Sequence, residues 1–405
     1  MILQLAWRNL WRNSSRSLIA MASVWCAVVF AIVLNSLQKG VFERLVANVV
    51  SFYSGYVQVH SAGYSAEQTL ENSFIYTDSL RRAVESVKSV SSAAPRLEVF
   101  ALASSGDKTR GCLTTGVVPE QEDRITHLKS KVTAGEYLTD STQTVLVAEG
   151  LARRLNLGLG DTLILLSQGY YGTLAAGKFP IGGLLHFGSP ELNDQVVFLS
   201  LKKAQEWLDA PDLATTLVIM PRNPEQSIQT AKQISDALPA SFEVLPWQKI
   251  MPDIDEHIRV DSASMSIILG VLYLLIGFGI FAVLLMMFAE RQREFGILVA
   301  LGMRKSKLAV MLLLESIFMT LTGCLGGMLI SLPIVWRLAE HPIRFGGDFA
   351  EIFERFGFEA VFPATVDPGI FLRQTIAVLI IALVLSLYPV VRVLSLKPLD
   401  AMRSG

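Results

Sequence analysis

The chain has 405 residues, a formal net charge of −1, 51% hydrophobic residues and 18% charged ones. The near-neutral balance excludes a nucleic-acid binder built on a basic surface. The apolar fraction places the chain between a soluble enzyme and a polytopic transporter, so that part of it is membrane and part is not.

In chain order, residues 1–16 place Leu3, Trp7, Leu10 and Trp11 at helical spacing with Arg8, Arg12 and Arg16 on another face. This predicts an interfacial helix leading into the first span. A cleaved signal peptide is disfavoured, because the apolar run after it exceeds an h-region and no A-x-A site follows. Four runs reach the roughly 20 apolar residues of a spanning helix: Leu18 to Leu37, Ile267 to Ala289, Leu308 to Val335 and Ile370 to Val391. The spans are set at 17–37, 262–289, 308–336 and 370–391.

Residues 38–261 have globular composition and predict an α+β domain with flanking stalk helices. Val41, Phe42, Leu45, Val46, Val49 and Val50 continue the 3.6-residue period beyond the first span. Pro252, with Asp253 and Asp255 in the first turn, starts the helix entering the second. Between them GYVQVHSAGY reads as a strand, DSLRRAVESVKS as a helix and SSAAPRLEVFALASSG as a strand pair. TVLVAEGLARRLNLGLGDTLILLS gives strand, helix, glycine turn and strand, and the segments from Gln195 to Leu238 add strand, helix, strand and helix. The glycine-punctuated stretch 169–190 carries Tyr170, Tyr171, Leu184 and Leu185. Two readings stand for it, a contact surface for lipid or protein and a hairpin folded onto its own domain.

Residues 290–307, ERQREFGILVALGMRKSK, interrupt the apolar runs. Burying Arg291, Arg293, Glu294, Arg304, Lys305 and Lys307 at the bilayer centre would cost roughly 2.5–3.5 kcal/mol each. The segment therefore sits at an aqueous surface, and its apolar block, Phe295, Ile297, Leu298, Val299 and Leu301, calls for a partner. The loop 337–369 holds Phe349, Ile352, Phe353 and Phe356 at i, i+3, i+4, i+7, a pattern for lying on the membrane. Lys and Arg concentrate before the first span, between the second and third, and in the tail 392–405. These segments are expected on the cytoplasmic side, with the large domain and the 337–369 loop outside.

Few residues invite chemistry. Gly172 to Phe179, GTLAAGKF, approaches a phosphate-binding loop, but Phe179 replaces the magnesium-binding hydroxyl and Pro180 blocks the helix that should follow. The five histidines never fall at metal-ligand spacing, and no G-x-S-x-G appears. Cys26, Cys112 and Cys324 are not expected to pair, since the first and third fall in apolar spans. Glu315 lies inside the third span, where a carboxylate is a functional candidate. Its competing role is a structural hydrogen bond, to a serine or to the region of Arg291 and Arg293. Gly323 and Gly327 form G-x-x-x-G, which permits close helix approach within a subunit or between subunits.

Span two running into ERQREFGILVALGMRK, a third span containing LLLESIFMTLTGCLGG, and the tail YPVVRVLSLKPLDAMR resemble the FtsX/MacB-type permeases of ABC transporters. GYVQVHSAGY, TGVVPEQE, KVTAGEYL and VAEGLARRLNLGLGDTLIL resemble the outer domain of that family, most closely its lipoprotein-releasing LolC/LolE branch. The resemblance implies four transmembrane helices of the type VII ABC permease kind, a large α+β periplasmic domain between helices 1 and 2, and a multi-pass location in a bacterial inner membrane with both termini cytoplasmic. It implies a dimer, with a second copy or a twin permease, on a cytoplasmic ABC ATPase dimer that binds ATP and Mg, this chain holding no cofactor and catalysing nothing. It further implies that residues 290–307 form the coupling helix, with Arg291, Arg293, Glu294, Gly296, Leu298, Leu301, Gly302 and Arg304 toward the ATPase. Val299 and Met303 depart from the pattern, which often has a basic and a small residue there. Lys397 to Arg403 also fit, with Lys397 where an acidic residue is frequent. The implied activity is release of lipoproteins to a periplasmic carrier. Regulation of a cell-wall hydrolase or sensor, and periplasmic efflux of a peptide or drug, are its alternatives.

Overall fold

A spanning helix needs about 20 apolar residues at 1.5 Å each, and four helices of the computed structural model meet that requirement. The structure describes residues 2–12, 14–46, 50, 54–187, 189–344, 346–347 and 361–395. The chain forms two compact units. One comprises Met1–Phe42, Ile258–Arg344 and Val361–Gly405, and the other Glu43–His257 and Phe345–Ala360. Phe349, Ile352, Phe353 and Phe356, together with Val49 and the tail from Lys397 to Arg403, lie outside the described residues.

The chain opens with α1 (Ile2–Arg12) and α2 (Ser14–Val46). There follow β1 (Val57–Ser61), β2 (Phe74–Ile75), α3 (Asp78–Glu85), β3 (Val90–Ser105), β4 (Lys108–Val117), α4 (Pro119–Thr126), β5 (Val132–Gly135), β6 (Val145–Ala148) and α5 (Glu149–Leu155). Then come β7 (Thr162–Gln168), β8 (Leu174–Leu185), α6 (Pro190–Gln195), β9 (Val196–Ser200), α7 (Leu201–Leu208), β10 (Leu213–Ala214), β11 (Thr216–Pro221), α8 (Ser227–Ala237), β12 (Phe242–Pro246) and α9 (Trp247–Ile250). The long helices α10 (Pro252–Ala300) and α11 (Lys305–Glu340) come next, then the short pair β13 (Ile343–Arg344) and β14 (Val361–Phe362), and α12 (Pro368–Leu394).

In the extramembrane unit the main sheet runs β12-β1-β11-β3-β4-β9-β6-β8-β5, and β7 pairs with both β3 and β8. That extra strand closes β3-β4-β9-β6-β8-β7 into a six-stranded barrel. Alternate residues of all six strands, among them Val99, Cys112, Val147, Leu163, Phe179 and Val197, share one buried cluster. β6 and β9 are buried on both faces, since Leu146 and Phe198 join a second cluster with Leu128 and Leu185. This double burial explains the unbroken apolar runs VLVA and VVFLS. Burial also pushes the Cys112 thiol up to about 11, so it stays protonated. Beyond the barrel, α3 and α8 cover β1 and β11 through Val57, Leu80, Val84, Ile219 and Ile234.

Where a strand pair was expected at SSAAPRLEVFALASSG there is one strand, β3, which changes neighbours midway. Val90–Arg96 pair with β11 and Arg96–Ser105 with β4. Pro95 falls just before the β4 ladder begins and so takes no donor from it. At the hand-over Arg96 is fully buried. Its Nε and Nη2 donate to the two Glu122 carboxylate oxygens at 3.0 and 2.7 Å, a two-point pairing that satisfies a desolvated charge.

In the membrane unit, α2 and α11 meet closely. A Cβ at Gly323 or at Gly327 would fall 2.8 Å from the Cβ of Val24 or of Val28, so G-x-x-x-G serves packing within one chain. Trp25 Nε1 donates to the Thr322 carbonyl at 3.2 Å, and the Tyr273 hydroxyl of α10 donates to Gln374 of α12. In α1 the inward residues are Ala6 and Leu10, while Trp7 and Trp11 remain exposed and Trp7 lies edge-on to Phe318 at 5.8 Å. Leu10 and small Ala6 thus turn inward, leaving Trp7 and Trp11 on the outer flank of α1. The side chains of Leu3, Arg12 and Arg16 lie outside the described residues.

The segment 290–307 is not a helix of its own. α10 runs unbroken through Arg291 and Phe295 to Ala300, and α11 starts at Lys305. Glu290 to Ala300 contain no proline, and their single glycine, Gly296, is buried, so nothing there stops the helix.

Where α12 begins, Asp367 accepts from the Gly369 N–H at 2.7 Å and from Lys39 Nζ at 2.8 Å, and the Thr365 N–H donates to the Ser36 carbonyl at 3.0 Å. The Lys39 hydrogen bond, followed by that of Gly369, holds the carboxyl below its ordinary range. Stability from a depressed carboxyl is present above the ordinary Asp value of about 4 and is lost as pH falls through the folded value. Asn at this position could still cap the helix. The melting difference between wild type and Asp367→Asn in detergent is therefore expected to be constant between about pH 6 and 8 and to close as the pH is lowered toward about 3.

Candidate functional site

The turn joining α10 to α11 is built by a helix-ending device. The Leu301 N–H donates to the Ile297 carbonyl at 2.9 Å, that of Gly302 to Val299 at 3.1 Å, and that of Met303 to Leu298 at 3.0 Å. The last bond reaches back five residues, and Gly302 has φ +95°. Together these form a Schellman cap, whose left-handed position favours glycine. The apolar contact that accompanies such caps is present, since Leu298 and Met303 both pack on the cluster of Phe288, Phe295, Leu308, Met311 and Leu312.

The cap sorts the side chains of the tip into two sets. Turned inward are Phe295 and Gly296, both buried, and Leu298, half-buried. Arg291 also points in, with its side chain 12% exposed and Glu315 1% exposed. Arg291 Nη1 donates to Glu315 Oε2 at 2.7 Å and to Oε1 at 2.9 Å, and the guanidinium lies over the Phe295 ring at 5.3 Å. Turned outward are Arg293, Glu294, Ile297, Ala300, Leu301, Gly302 and Arg304. Leu301 is 79% exposed, an apolar knob rimmed by charges, as at a protein-binding surface.

Of the residues assigned to coupling, Arg293, Glu294, Leu301, Gly302 and Arg304 are accessible together. Arg291 and Gly296 are corrected to interior positions, because their helix face packs on α11. Ile297, expected in the apolar block but not among the coupling residues, is accessible, four residues after Arg293 and four before Leu301 on the same helical face.

The stretch 169–190 forms the end of a hairpin. β7 and β8 pair from Thr162 with Pro180 to Gln168 with Leu174, and the Gly169 N–H closes the turn on Thr173 at 2.7 Å. GTLAAGKF is this turn and the first half of β8, and the strand continues to Leu185 where a phosphate-binding loop would begin its helix. Tyr171 is 74% and Leu174 79% exposed at the hairpin end. Tyr170 and Leu184 are half-buried against the barrel core. Leu185 is removed from the contact set, since it is fully buried and its turn of the β8 alternation faces the outer cluster. Among the described residues no group of three or more His, Cys, Asp or Glu side chains could hold a metal ion.

Four spanning helices, a large α+β insertion after the first, and a capped apolar tip between the second and third define a polytopic membrane protein. The model of the FtsX-like permease C-terminal domain matches residues 266–398, and that of the MacB-like periplasmic core domain matches residues 17–237. The chain belongs to the FtsX/MacB-type family of ABC transporter permeases. It is 22% identical over 323 residues to the lipoprotein-releasing system transmembrane protein LolC of Xylella fastidiosa (strain 9a5c), covering 78% of each chain. To the LolC of Neisseria meningitidis serogroup B it is 22% identical over 409 residues, covering 97% of this chain and 95% of that one. Among solved structures, it resembles the periplasmic region of MacB from Actinobacillus actinomycetemcomitans with TM-score 0.36 and 13% identity, covering 51% of this chain and 94% of that one. The extracellular domain of the transporter YknZ from Gram-positive bacteria gives TM-score 0.34 and 12% identity, covering 47% and 100%. At those TM-scores the structural likenesses carry no argument.

A side chain at a left-handed position costs about 1–2 kcal/mol. Gly302→Val is therefore expected to loosen the cap, measurable as a roughly tenfold faster hydrogen exchange of the Met303 amide.

Proposed function

We propose that the chain is the membrane subunit of an ABC machine that releases lipoproteins from a bacterial inner membrane, with ATP hydrolysed on separate cytoplasmic ATPase subunits. The observation that carries the reading is the tip of the α10–α11 hairpin, where Ile297, Ala300 and Leu301 stand exposed between Arg293 and Arg304. Such a rigid apolar knob suits a groove on a partner, and the family supplies an ATPase as the partner. ATP and Mg belong to that partner, because this chain offers no phosphate-binding loop of its own.

The same reading orients the chain. Lys and Arg cluster in residues 8–16, 291–307 and 392–403, so these segments are assigned to the cytoplasm and the barrel-bearing unit to the periplasm. Two permease subunits, identical or twinned, would share one ATPase dimer. The lipoprotein assignment follows the names of the relatives. Tyr171 and Leu174 supply an exposed apolar hairpin end for a lipoprotein or its carrier.

Two measurements test the reading. Leu301→Asp is expected to lower co-purification of the ATPase at least tenfold, while the variant still inserts and melts like wild type. Full ATPase retention would remove the docking role from the tip. A photocrosslinker at Tyr171 or Leu174 is expected to trap an acylated protein or its soluble carrier in cells. Capture of a cell-wall hydrolase alone would replace lipoprotein release with regulation.

A further inference from the structure

α10 is the least embedded of the spanning helices. Of its most apolar stretch 11% is buried, against 56% for α11 and 28% for α12. Lipid tails are as apolar as leucine, so burial of apolar surface does little to hold such a helix against its neighbours. Polar ties do more. Two such ties of α10 are Tyr273 to Gln374 and, near the tip, Arg291 to Glu315.

The second tie has a particular geometry. Arg291 lies nine residues before the end of α10 and Glu315 ten residues after the start of α11, about 14 and 15 Å along their helices. The pair therefore bridges the two arms of the hairpin at equal height. Phe295, Leu298, Met303, Leu308 and Leu312 fill the space between it and the cap. The tip is closed at both ends, by the cap on one side and by a nearly water-free ion pair on the other. Separating the partners would strand a desolvated charge among apolar side chains, so the tie is a fixed joint and not a contact offered to another protein. Its far side is α11, the helix against which α2 packs through Val24 and Val28.

We infer that Arg291 and Glu315 are positioning residues that make the Leu301 tip and α11 move as one body. Displacement of the tip then reaches the packed α2–α11 core instead of being absorbed by slippage of α10. The inference rests on ATPase docking at that tip.

The test uses the full chain with its ATPase in lipid nanodiscs, comparing wild type, Glu315→Gln and the reversed pair R291E/E315R by hydrogen exchange, with and without trapping by ADP, vanadate and Mg²⁺. For Glu315→Gln the ATPase is expected to remain bound and the amides of residues 288–296 to exchange at least tenfold faster without nucleotide. The trapping response should persist at 297–304 and disappear from 312–322, and the reversed pair should restore it. Exchange of 288–296 within twofold of wild type, or a wild-type response at 312–322, would overturn the joint. The docking reading fails separately if Leu301→Asp retains the ATPase as well as wild type does, and the joint then falls as a route from that tip.

Discussion

A carboxylate ten residues into an apolar helix must find a cation inside the protein, and Glu315 finds Arg291. The partner comes from the adjacent arm because the turn between α10 and α11 is only four residues long, which sets residues equally far from it opposite one another. The pairing fixes the register of the two helices, and the register decides what the tip shows. Arg291, Phe295 and Leu298 face α11, leaving Arg293, Ile297 and Leu301 to face outward. The buried ion pair and the Gly302 cap together set which side chains the tip exposes about 14 Å away.

A similar constraint organises the extramembrane unit. β3 belongs both to the closed barrel and to the layer covered by α3 and α8, and Arg96 sits where it passes from one to the other. A guanidinium there is tolerable because Glu122 meets it at two points and Glu98 at a third. The pair ties α4 to the hand-over point of the strand, at the one place where neither ladder alone defines the geometry. The hairpin of β7 and β8 is anchored differently, by the pairing of β7 with β3 and by Phe179 and Ile181 in the barrel core. Its end can therefore leave Tyr171 and Leu174 exposed while the strands beneath remain rigid.

Much of this was legible in the sequence, for identifiable reasons. The spans follow from apolar run length, and the domain class from alternating strand and helix signals. Gly302 as a cap follows from glycine's access to positive φ. The extent of α10 was misjudged because charge marks where lipid ends and not where a helix ends. Glycine density made 169–190 look irregular, yet Gly182 and Gly183 lie within β8, where a Cβ would fall within 2.8 Å of Thr144 or Leu146. The period-2 alternation of Phe179 and Ile181 does not carry through to Leu185, because the pairing of β6 with β8 shifts register at Val145/Leu146 and turns Leu185 into the outer cluster. Closure of the barrel was not legible, since the meeting of Leu102 with Leu166 depends on tertiary placement across sixty-four residues.

The inward turn of Arg291 was legible from Glu315, whose expected bond to the region of Arg291 and Arg293 is the one found, but not from the coupling pattern. A family pattern over 291–304 superimposes two jobs, holding the tip and presenting it, and both require similar residue types at interleaved positions. Only the helical phase separates them. It assigns Leu298 to the first job, where with Met303 it makes the apolar contact of the cap. The departure at Met303 is thereby explained, since a small residue there would leave that contact unfilled. Val299, where a basic residue is frequent, makes this tip less cationic than the pattern implies. The exposed tip of this chain is accordingly defined by the shape of Leu301 and Ile297 more than by added charge.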